Sequence, residues 1–234
     1  MLDSTTRPMK DALLAPLARG PVGRVHPLVV SGLGLVASIG AAVAAWQGAI
    51  VLSIALWILG RTLDGLDGVL ARTQGRQSDL GGLLDFLFDT IGYVAVPLGI
   101  AAAVGTQTTW IVTAVLLGTF YLNAVSLGHV AAVLEKRALG AAASGSPTST
   151  VLPRGLIEGT ETVLFFTVAL AVPSSAWIVW SVMAAAVVVT VAERTRWIAR
   201  RLAADTAKAG RPSNSSDENS AEVTDLRPGR RNAA

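Results

Sequence analysis

Long apolar runs separated by short polar breaks dominate the sequence. The runs predict six helices, at about 27–46, 48–72, 79–104, 109–133, 154–172 and 175–192. Most of them approach the roughly 20 residues that a helix needs to cross the hydrocarbon core of a membrane. The pattern therefore predicts an all-α integral membrane protein with six transmembrane helices.

The second predicted helix has a charged end. Its apolar part stops near Leu63 after roughly 15 residues, which at about 1.5 Å per residue is shorter than the hydrocarbon core. We therefore expect the helix to continue through Asp64 and Asp67 to about Arg72. The polar end would then lie near the level of the lipid phosphates.

Composition narrows the class of protein further. Of the 234 residues, 52% are hydrophobic and the mean hydropathy is +0.54, which is typical of a single membrane domain. The absence of cysteine excludes disulfide and thiolate chemistry, and two histidines are too few for a Cys/His zinc site. The net charge of +3 is small and its basic residues are spread along the chain, so no nucleic-acid partner is expected.

The basic residues predict the orientation in the membrane. All 19 lie in the N-terminal arm, the 61–76 region, the 136–154 loop or the segment after 193, and the other short loops have none. With six spans these regions share one side, which the positive-inside rule makes cytoplasmic. We expect a multi-pass plasma-membrane protein with a cytoplasmic arm (1–26), a six-helix domain (27–202) and a disordered cytoplasmic tail (203–234).

Two pairs of aspartates lie at the polar ends of the second and third predicted helices. Asp64 and Asp67 are three residues apart, and Asp85 and Asp89 are four apart, so each pair shares one helix face. Four carboxylates close together at a membrane surface require neutralisation, and oxygen ligands are what Mg²⁺ or Mn²⁺ prefers. The set predicts a site for two such ions, whereas a single aspartate is more often a solvated residue. We expect Asp79 to cap the third helix.

The same residues carry a family resemblance. The chain reads Asp64-x2-Asp67-Gly68-x2-Ala71-Arg72, then eight residues, then Gly81-x3-Asp85-x3-Asp89. This resembles the full signature of the CDP-alcohol phosphatidyltransferases, membrane enzymes of phospholipid synthesis. The signature covers 26 residues, and the six-span layout extends the resemblance more weakly to most of the chain.

The resemblance implies a role for each signature residue. The four aspartates would bind the metal ions, Asp85 and Asp89 would be catalytic, and Asp89 would be the base. Nucleotide and pyrophosphate binding would fall to Gly68, Ala71, Arg72 and Gly81. The alternatives are ordinary helix packing for the glycines and snorkelling to the interface for Arg72.

The acceptor side is less defined by the sequence. Arg154, Lys136 and Arg137 are candidates for binding a phosphate, but Arg154 and Glu158 are also spaced as an intrahelical ion pair. Lys136 and Arg137 also fit the role of topology charges. The roles of Glu158 and Glu161 stay open. Ser31 is a candidate for nucleotide contact or packing, and we expect both histidines to be interfacial or packed.

The resemblance implies transfer of a phosphatidyl group from CDP-diacylglycerol to a small polar alcohol, including a phosphorylated polyol, with release of CMP. The opposite direction, from a small CDP-alcohol to diacylglycerol, is the alternative within the family. A cation or proton carrier is disfavoured because the carboxylates cluster at one interface. A noncatalytic lipid-binding protein stays open. Expected partners are the CDP-linked donor, the alcohol, membrane lipids and a second copy of the chain.

Overall fold

The computed structural model describes residues 16, 20–137 and 159–209, and these contain helices but no strand. The α-helices of this part are α1 (Pro27–Trp46), α2 (Ile50–Thr73), α3 (Asp79–Val104), α4 (Gln107–Lys136), α5 (Gly159–Ala171) and α6 (Ala176–Ala209). Short 3-10 turns at Pro21–Arg24 and Pro173–Ser175 precede α1 and α6. The all-α prediction is confirmed, and the predicted bounds of the first and third helices match the structure.

Four segments of the described chain are long and apolar enough to cross a membrane: Pro27–Trp46, Asp79–Val104, Gln107–Lys136 and Pro173–Asp205. The protein is therefore a multi-pass membrane protein. Helix α2 has 24 residues, which is long enough, but it carries Arg61, Asp64, Asp67 and Arg72. The described part of α5 has 13 residues, which is too short by itself. The count of six spans stays a prediction.

Helix α1 packs against both α2 and α3 through small residues. A Cβ on Gly34 would lie 3.3 Å from the Gly60 carbonyl oxygen, so the backbones of α1 and α2 are in close contact there. A Cβ on Gly99 would overlap the Ala42 carbonyl group, where α3 crosses α1. Close approach through small residues is how membrane helices associate without a hydrophobic driving force. Since it contacts both, α1 fixes the relative positions of the two helices that carry the aspartates.

Aromatic side chains fill the core beside the polar end of α2. Trp57 stacks on Phe166 with ring centroids 4.9 Å apart, and Trp180 meets Phe166 edge-on at 5.0 Å. Tyr93 of α3 lies edge-on to Trp57 at 5.9 Å. All but Tyr93 are fully buried. The cluster joins α2, α3, α5 and the start of α6. Arg61 lies one helical turn after Trp57 on α2.

One predicted cap and several predicted helix ends differ from the structure. Ser78, and not Asp79, caps α3, because the Ser78 hydroxyl accepts the Gly81 N–H at 3.1 Å while Asp79 already belongs to the helix. Helix α4 begins at Gln107 and ends at Lys136, two residues earlier and three later than predicted, with Thr106 as its cap.

Helix α6 extends to Ala209, well past the predicted end at 192 and past the predicted start of the tail at 203. Its last turns contain arginine, alanine and leucine, which favour helix without continuing the apolar run. The compact unit that holds the earlier helices ends at Thr195. Within the second unit, which begins at Arg196, the Arg201 guanidinium lies 5.2 Å from the Trp197 ring centroid.

Candidate active site

A short polar connection brings the ends of α2 and α3 together. Helix α2 ends at Thr73, and Gly75 has φ +64°, a left-handed conformation that glycine adopts without strain. The chain then reverses direction, and the Ser78 cap starts α3. The two aspartate pairs thus lie at the same end of adjacent helices.

A cavity of about 330 Å³ lies at this end of the bundle. Six signature residues line it: Asp67, Gly68, Ala71, Arg72, Gly81 and Asp85. The start of α1 and the connection before α3 complete the wall with His26, Ser31, Arg76, Gln77 and Ser78. The cavity is therefore built from the segments that hold the sequence signature, and it presents both carboxylates and cationic side chains.

A second, much smaller cavity, of about 10 Å³, lies beside the first. Asp64, Asp89 and Arg61 line it, together with Asp85 and Ser31, which also line the larger cavity. All four signature aspartates therefore border two adjoining spaces that meet at Asp85.

The signature glycines face open space and not another helix. A Cβ on Gly68 would have only the Arg72 Nη1 atom nearby, at 3.4 Å. A Cβ on Gly81 would meet only the Ser78 hydroxyl, at 3.1 Å. This is unlike Gly99, where a neighbouring backbone fills the space. Helix packing therefore does not explain Gly68 and Gly81, whereas close approach of a ligand to the backbone does.

The Arg61 side chain is the main feature that the sequence reasoning missed. It donates a hydrogen bond to Asp89 Oδ1 and lies 3.9 Å from Asp64 Oδ2. An arginine inside an apolar run, one turn before an aspartate, was the available signal, because a charge at this depth requires a partner. Arg61 therefore belongs to the aspartate cluster.

The donor set suits a divalent cation, although the side chains are not gathered into a ligand sphere. Asp67 is 5% exposed, its Oδ2 is buried without a hydrogen-bond partner, and the Ser31 hydroxyl lies beside its carboxylate. Within the described residues, no three Asp, Glu or His side chains converge closely enough to hold an ion as they stand. The types and places of the carboxylates fit Mg²⁺ or Mn²⁺, and rotation about their side-chain bonds has to complete the site.

The segment before α1 contributes His26 to the wall of the larger cavity, which the sequence did not predict. The Gln74 side-chain amide donates to the Gly23 and Val25 carbonyl oxygens, each at 2.9 Å, and ties this segment to the end of α2. His26 caps α1, because its Nδ1 accepts the Leu28 N–H at 3.3 Å. Gln74 thereby anchors the segment just before His26, and His26 itself lines the larger cavity.

The predicted acceptor residues are only partly described. Lys136 ends α4 and Arg137 is its C-terminal cap, and neither lines the two cavities. Arg154 and Glu158 lie outside the described residues, and Glu161 is in the first turn of α5.

The sequence reasoning did not single out Arg194. Its side chain is buried in the described structure, 7% exposed, and its Nη1 donates to Asn123 Oδ1 at 2.9 Å and to the Ser126 hydroxyl at 2.7 Å. Two polar residues of α4 thus accept hydrogen bonds from one nitrogen of a buried cation of α6, whose Nε has no hydrogen-bond partner among the described residues.

Comparison with known proteins supports the family resemblance. The family model for CDP-alcohol phosphatidyltransferase matches residues 24–192, which is most of the chain. The match includes the whole signature and the first five helices.

Two curated relatives match over shorter segments. The inner membrane protein YnjF of Escherichia coli is 37% identical over 109 residues, 47% of this chain and 52% of that protein. The CDP-diacylglycerol–serine O-phosphatidyltransferase of Saccharomyces cerevisiae is 43% identical over 53 residues, 23% of this chain and 19% of that protein. The aligned part thus spans about half of one relative and a fifth of the other.

Solved structures of the phosphatidylinositol phosphate synthase of Mycobacterium tuberculosis share the fold. The structure with CDP-diacylglycerol bound has a TM-score of 0.63 at 23% identity and covers 80% of this chain and 94% of that one. The structure in complex with manganese and citrate has a TM-score of 0.62 at 23% identity, over 79% and 88% of the two chains. At this identity the likeness establishes the fold alone.

Proposed function

Because the chain belongs to the CDP-alcohol phosphatidyltransferase family, we propose that it transfers a phosphatidyl group from CDP-diacylglycerol to a small polar alcohol and releases CMP. The acceptor class includes phosphorylated polyols. The observation that carries the proposal is the cavity of about 330 Å³, lined by six signature residues at the polar ends of α2 and α3. Its carboxylates and its Arg72 and Arg76 side chains match a metal-bound pyrophosphate.

The four signature aspartates are the proposed ligands of Mg²⁺ or Mn²⁺, with two ions to balance their charge. The unpartnered Asp67 Oδ2 and the place of Asp85 between the two cavities support this assignment. When bound, the cations would offset the negative charge of the donor pyrophosphate and the charge that develops on the CMP leaving group. The manganese complex of the Mycobacterium tuberculosis synthase supports divalent metal use in the family.

The residues of the larger cavity orient the donor. Gly68 and Gly81 leave room for the nucleotide to approach the helix backbone, and Ala71 is small for the same reason. Arg72 lies four residues after Gly68 on the same helix face and places its guanidinium for a pyrophosphate oxygen. These positions hold the donor with its reacting phosphorus towards the aspartates.

The reaction then requires one base. The acceptor hydroxyl oxygen attacks the phosphorus that carries the diacylglycerol group, and the bond from that phosphorus to the oxygen of CMP breaks. The Asp89 carboxylate accepts the hydroxyl proton, and CMP leaves with the bonding electron pair. Asp85, which lies one turn before Asp89 on α3, faces both cavities and is placed to contact cation and donor together.

Two observations favour CDP-diacylglycerol as the proposed donor. The fold is shared with a synthase that was solved with CDP-diacylglycerol bound, and the yeast relative is named for the same donor. The site also lies at the polar end of apolar helices, where a lipid donor places its phosphates. We further propose that this end and both termini face the cytoplasm and that α2 and α5 complete six spans.

The test is CMP release by the purified protein with Mg²⁺ or Mn²⁺. CDP-diacylglycerol is offered with glycerol 3-phosphate, inositol 1-phosphate, inositol, serine or choline, one at a time. We expect metal-dependent CMP release with one of these acceptors. Activity only with CDP-choline or CDP-ethanolamine plus diacylglycerol would reverse the donor assignment. A folded protein that is inactive with all of them would contradict the proposed function.

A further inference from the structure

Residues from three helices contact the Arg61 side chain. Its side chain is 9% exposed, and its guanidinium carbon lies 5.0 Å from the Trp57 ring centroid and 5.1 Å from the Tyr93 ring centroid. Nη1 donates to the Tyr93 hydroxyl at 3.3 Å, and Nη2 donates to the Ser38 hydroxyl at 3.2 Å. Contacts from α1, α2 and α3 therefore fix one orientation of the guanidinium.

That orientation serves Asp89. Arg61 Nη1 donates to Asp89 Oδ1, and the same atom is 3.9 Å from Asp64 Oδ2. A guanidinium fixed by aromatic rings and hydroxyls is a rigid donor, whereas an exposed arginine loses much of its bond strength to side-chain entropy. One oxygen of Asp89 is therefore committed to Arg61.

We propose that Arg61 is a positioning residue for Asp89, an inference that rests on the proposed function. Arg61 holds Oδ1 and so fixes the carboxylate plane, which turns Oδ2 towards the cation and the acceptor hydroxyl. Orientation of this kind acts on turnover more than on binding. The positive charge of Arg61 also weakens cation binding at the neighbouring aspartates. The aligned Asp89 carboxylate therefore comes with a lower metal affinity.

A variant without the Arg61 charge should therefore lose turnover but gain metal affinity, a combination that simple damage to the fold would not produce. In Arg61→Gln we expect kcat to fall about 100-fold while Mn²⁺ binds about tenfold more tightly, because a neighbouring positive charge is gone. Mn²⁺ affinity is measured from the free-ion signal in electron paramagnetic resonance, and kcat from CMP release. In Arg61→Lys, which keeps the charge but loses the planar fork, Mn²⁺ affinity should stay near wild type while kcat falls about tenfold.

A milder variant keeps the test valid if Arg61→Gln fails to fold. Tyr93→Phe removes one hydroxyl that anchors Arg61 without changing any charge, and kcat should fall about threefold with Mn²⁺ affinity unchanged. Tyr121→Phe is the matched control, because Tyr121 is 71% exposed on α4, and its kcat should equal that of wild type.

Two results would overturn the role of Arg61: unchanged kcat in both Arg61→Gln and Tyr93→Phe, or Mn²⁺ binding in a folded Arg61→Gln that is no tighter than in wild type. Failure of the proposed function is distinguishable, since it would appear as no CMP release from the wild-type protein. The Mn²⁺ affinities of wild type and Arg61→Gln would still report on the placement of the Arg61 charge.

Discussion

At the residue scale, the glycines of α2 and α3 have different surroundings in the structure. Gly68 and Gly81 border the larger cavity, and a Cβ there would meet only a flexible side chain or a cap hydroxyl. At Gly99, the space that a Cβ would occupy is taken by the Ala42 carbonyl group. The first kind of glycine leaves space for a ligand, and the second allows two helices to touch.

Gly68→Ala tests the ligand role. The added methyl group has room in the free protein, so we expect unchanged stability but a KM for the CDP-linked donor that rises at least about tenfold, because the methyl occupies the donor's space. Steady-state CMP release measures the KM. The matched control is Gly128→Ala, at a helical glycine outside both cavities whose added Cβ has nothing within 4 Å. An unchanged KM in Gly68→Ala would remove Gly68 from the donor site.

Spacing along the chain predicts at this scale which residues lie near one another, whereas their roles stay predictions. The four aspartates and four companion residues were selected by their offsets, and the structure places them around two adjoining cavities. Arg61 and Gln74 were missed because their importance depends on partners far along the chain: Asp89 for Arg61, and Gly23 and Val25 for Gln74. The position of Arg61 in an apolar run indicates that it needs a partner, but spacing along the chain does not identify Asp89 as that partner or pair Gln74 with the segment before α1.

At the scale of elements, α1 is the helix on which the site depends, although it holds none of the signature. It contacts α2 at Gly34 and Gly60 and contacts α3 at Ala42 and Gly99. The distance between the aspartate pairs therefore follows from a backbone contact at Gly60, one turn before Asp64, and another at Gly99, about three turns after Asp89.

Gly99→Ala tests this dependence. The new Cβ overlaps the Ala42 carbonyl, so α3 has to shift away from α1, and we expect a loss of about 1–3 kcal/mol of stability. Thermal unfolding in detergent measures the change. The control is Gly118→Ala, where nothing lies within 4 Å and alanine should be neutral or slightly stabilising. Equal melting temperatures for wild type and Gly99→Ala would show that the crossing is not tightly packed.

Element boundaries were predictable from hydropathy only where the helix ends with the apolar run. Helices α1 and α3 satisfy that condition, and their predicted bounds match. Helix α6 does not, because arginine-rich and alanine-rich turns continue the helix to Ala209 after the apolar residues end. The cap of α3 depended on a backbone conformation at Ser78 that composition does not reveal.

At the scale of the whole molecule, the open question is whether α2 crosses the membrane. Four described segments qualify by length and apolar character, and α2 carries charges that its own neighbours neutralise in part. If the chain has six spans, residues 47 and 77 lie on opposite sides of the membrane. If α2 does not cross, they lie on the same side.

The chain has no cysteine, so single-cysteine labelling has no background. In sealed right-side-out vesicles, a membrane-impermeant maleimide should label Gln47→Cys and Ser174→Cys. It should label Gln77→Cys only after permeabilisation, because Gln77 lies beside the larger cavity, which we propose faces the cytoplasm. All three positions are exposed in the structure, so burial does not prevent labelling. Labelling of Gln77→Cys from outside would contradict a cytoplasmic site.

The most direct measurement is CMP release from CDP-diacylglycerol by the wild-type protein and by Asp89→Asn, with Mn²⁺ and with excess chelator. We expect wild-type release that disappears with chelator, and at least about 100-fold less in Asp89→Asn. Asparagine keeps an oxygen that accepts from Arg61, so the variant should unfold near the wild-type temperature. Equal turnover by Asp89→Asn, or wild-type turnover that is indifferent to chelator, would contradict a metal-dependent transferase built on these aspartates.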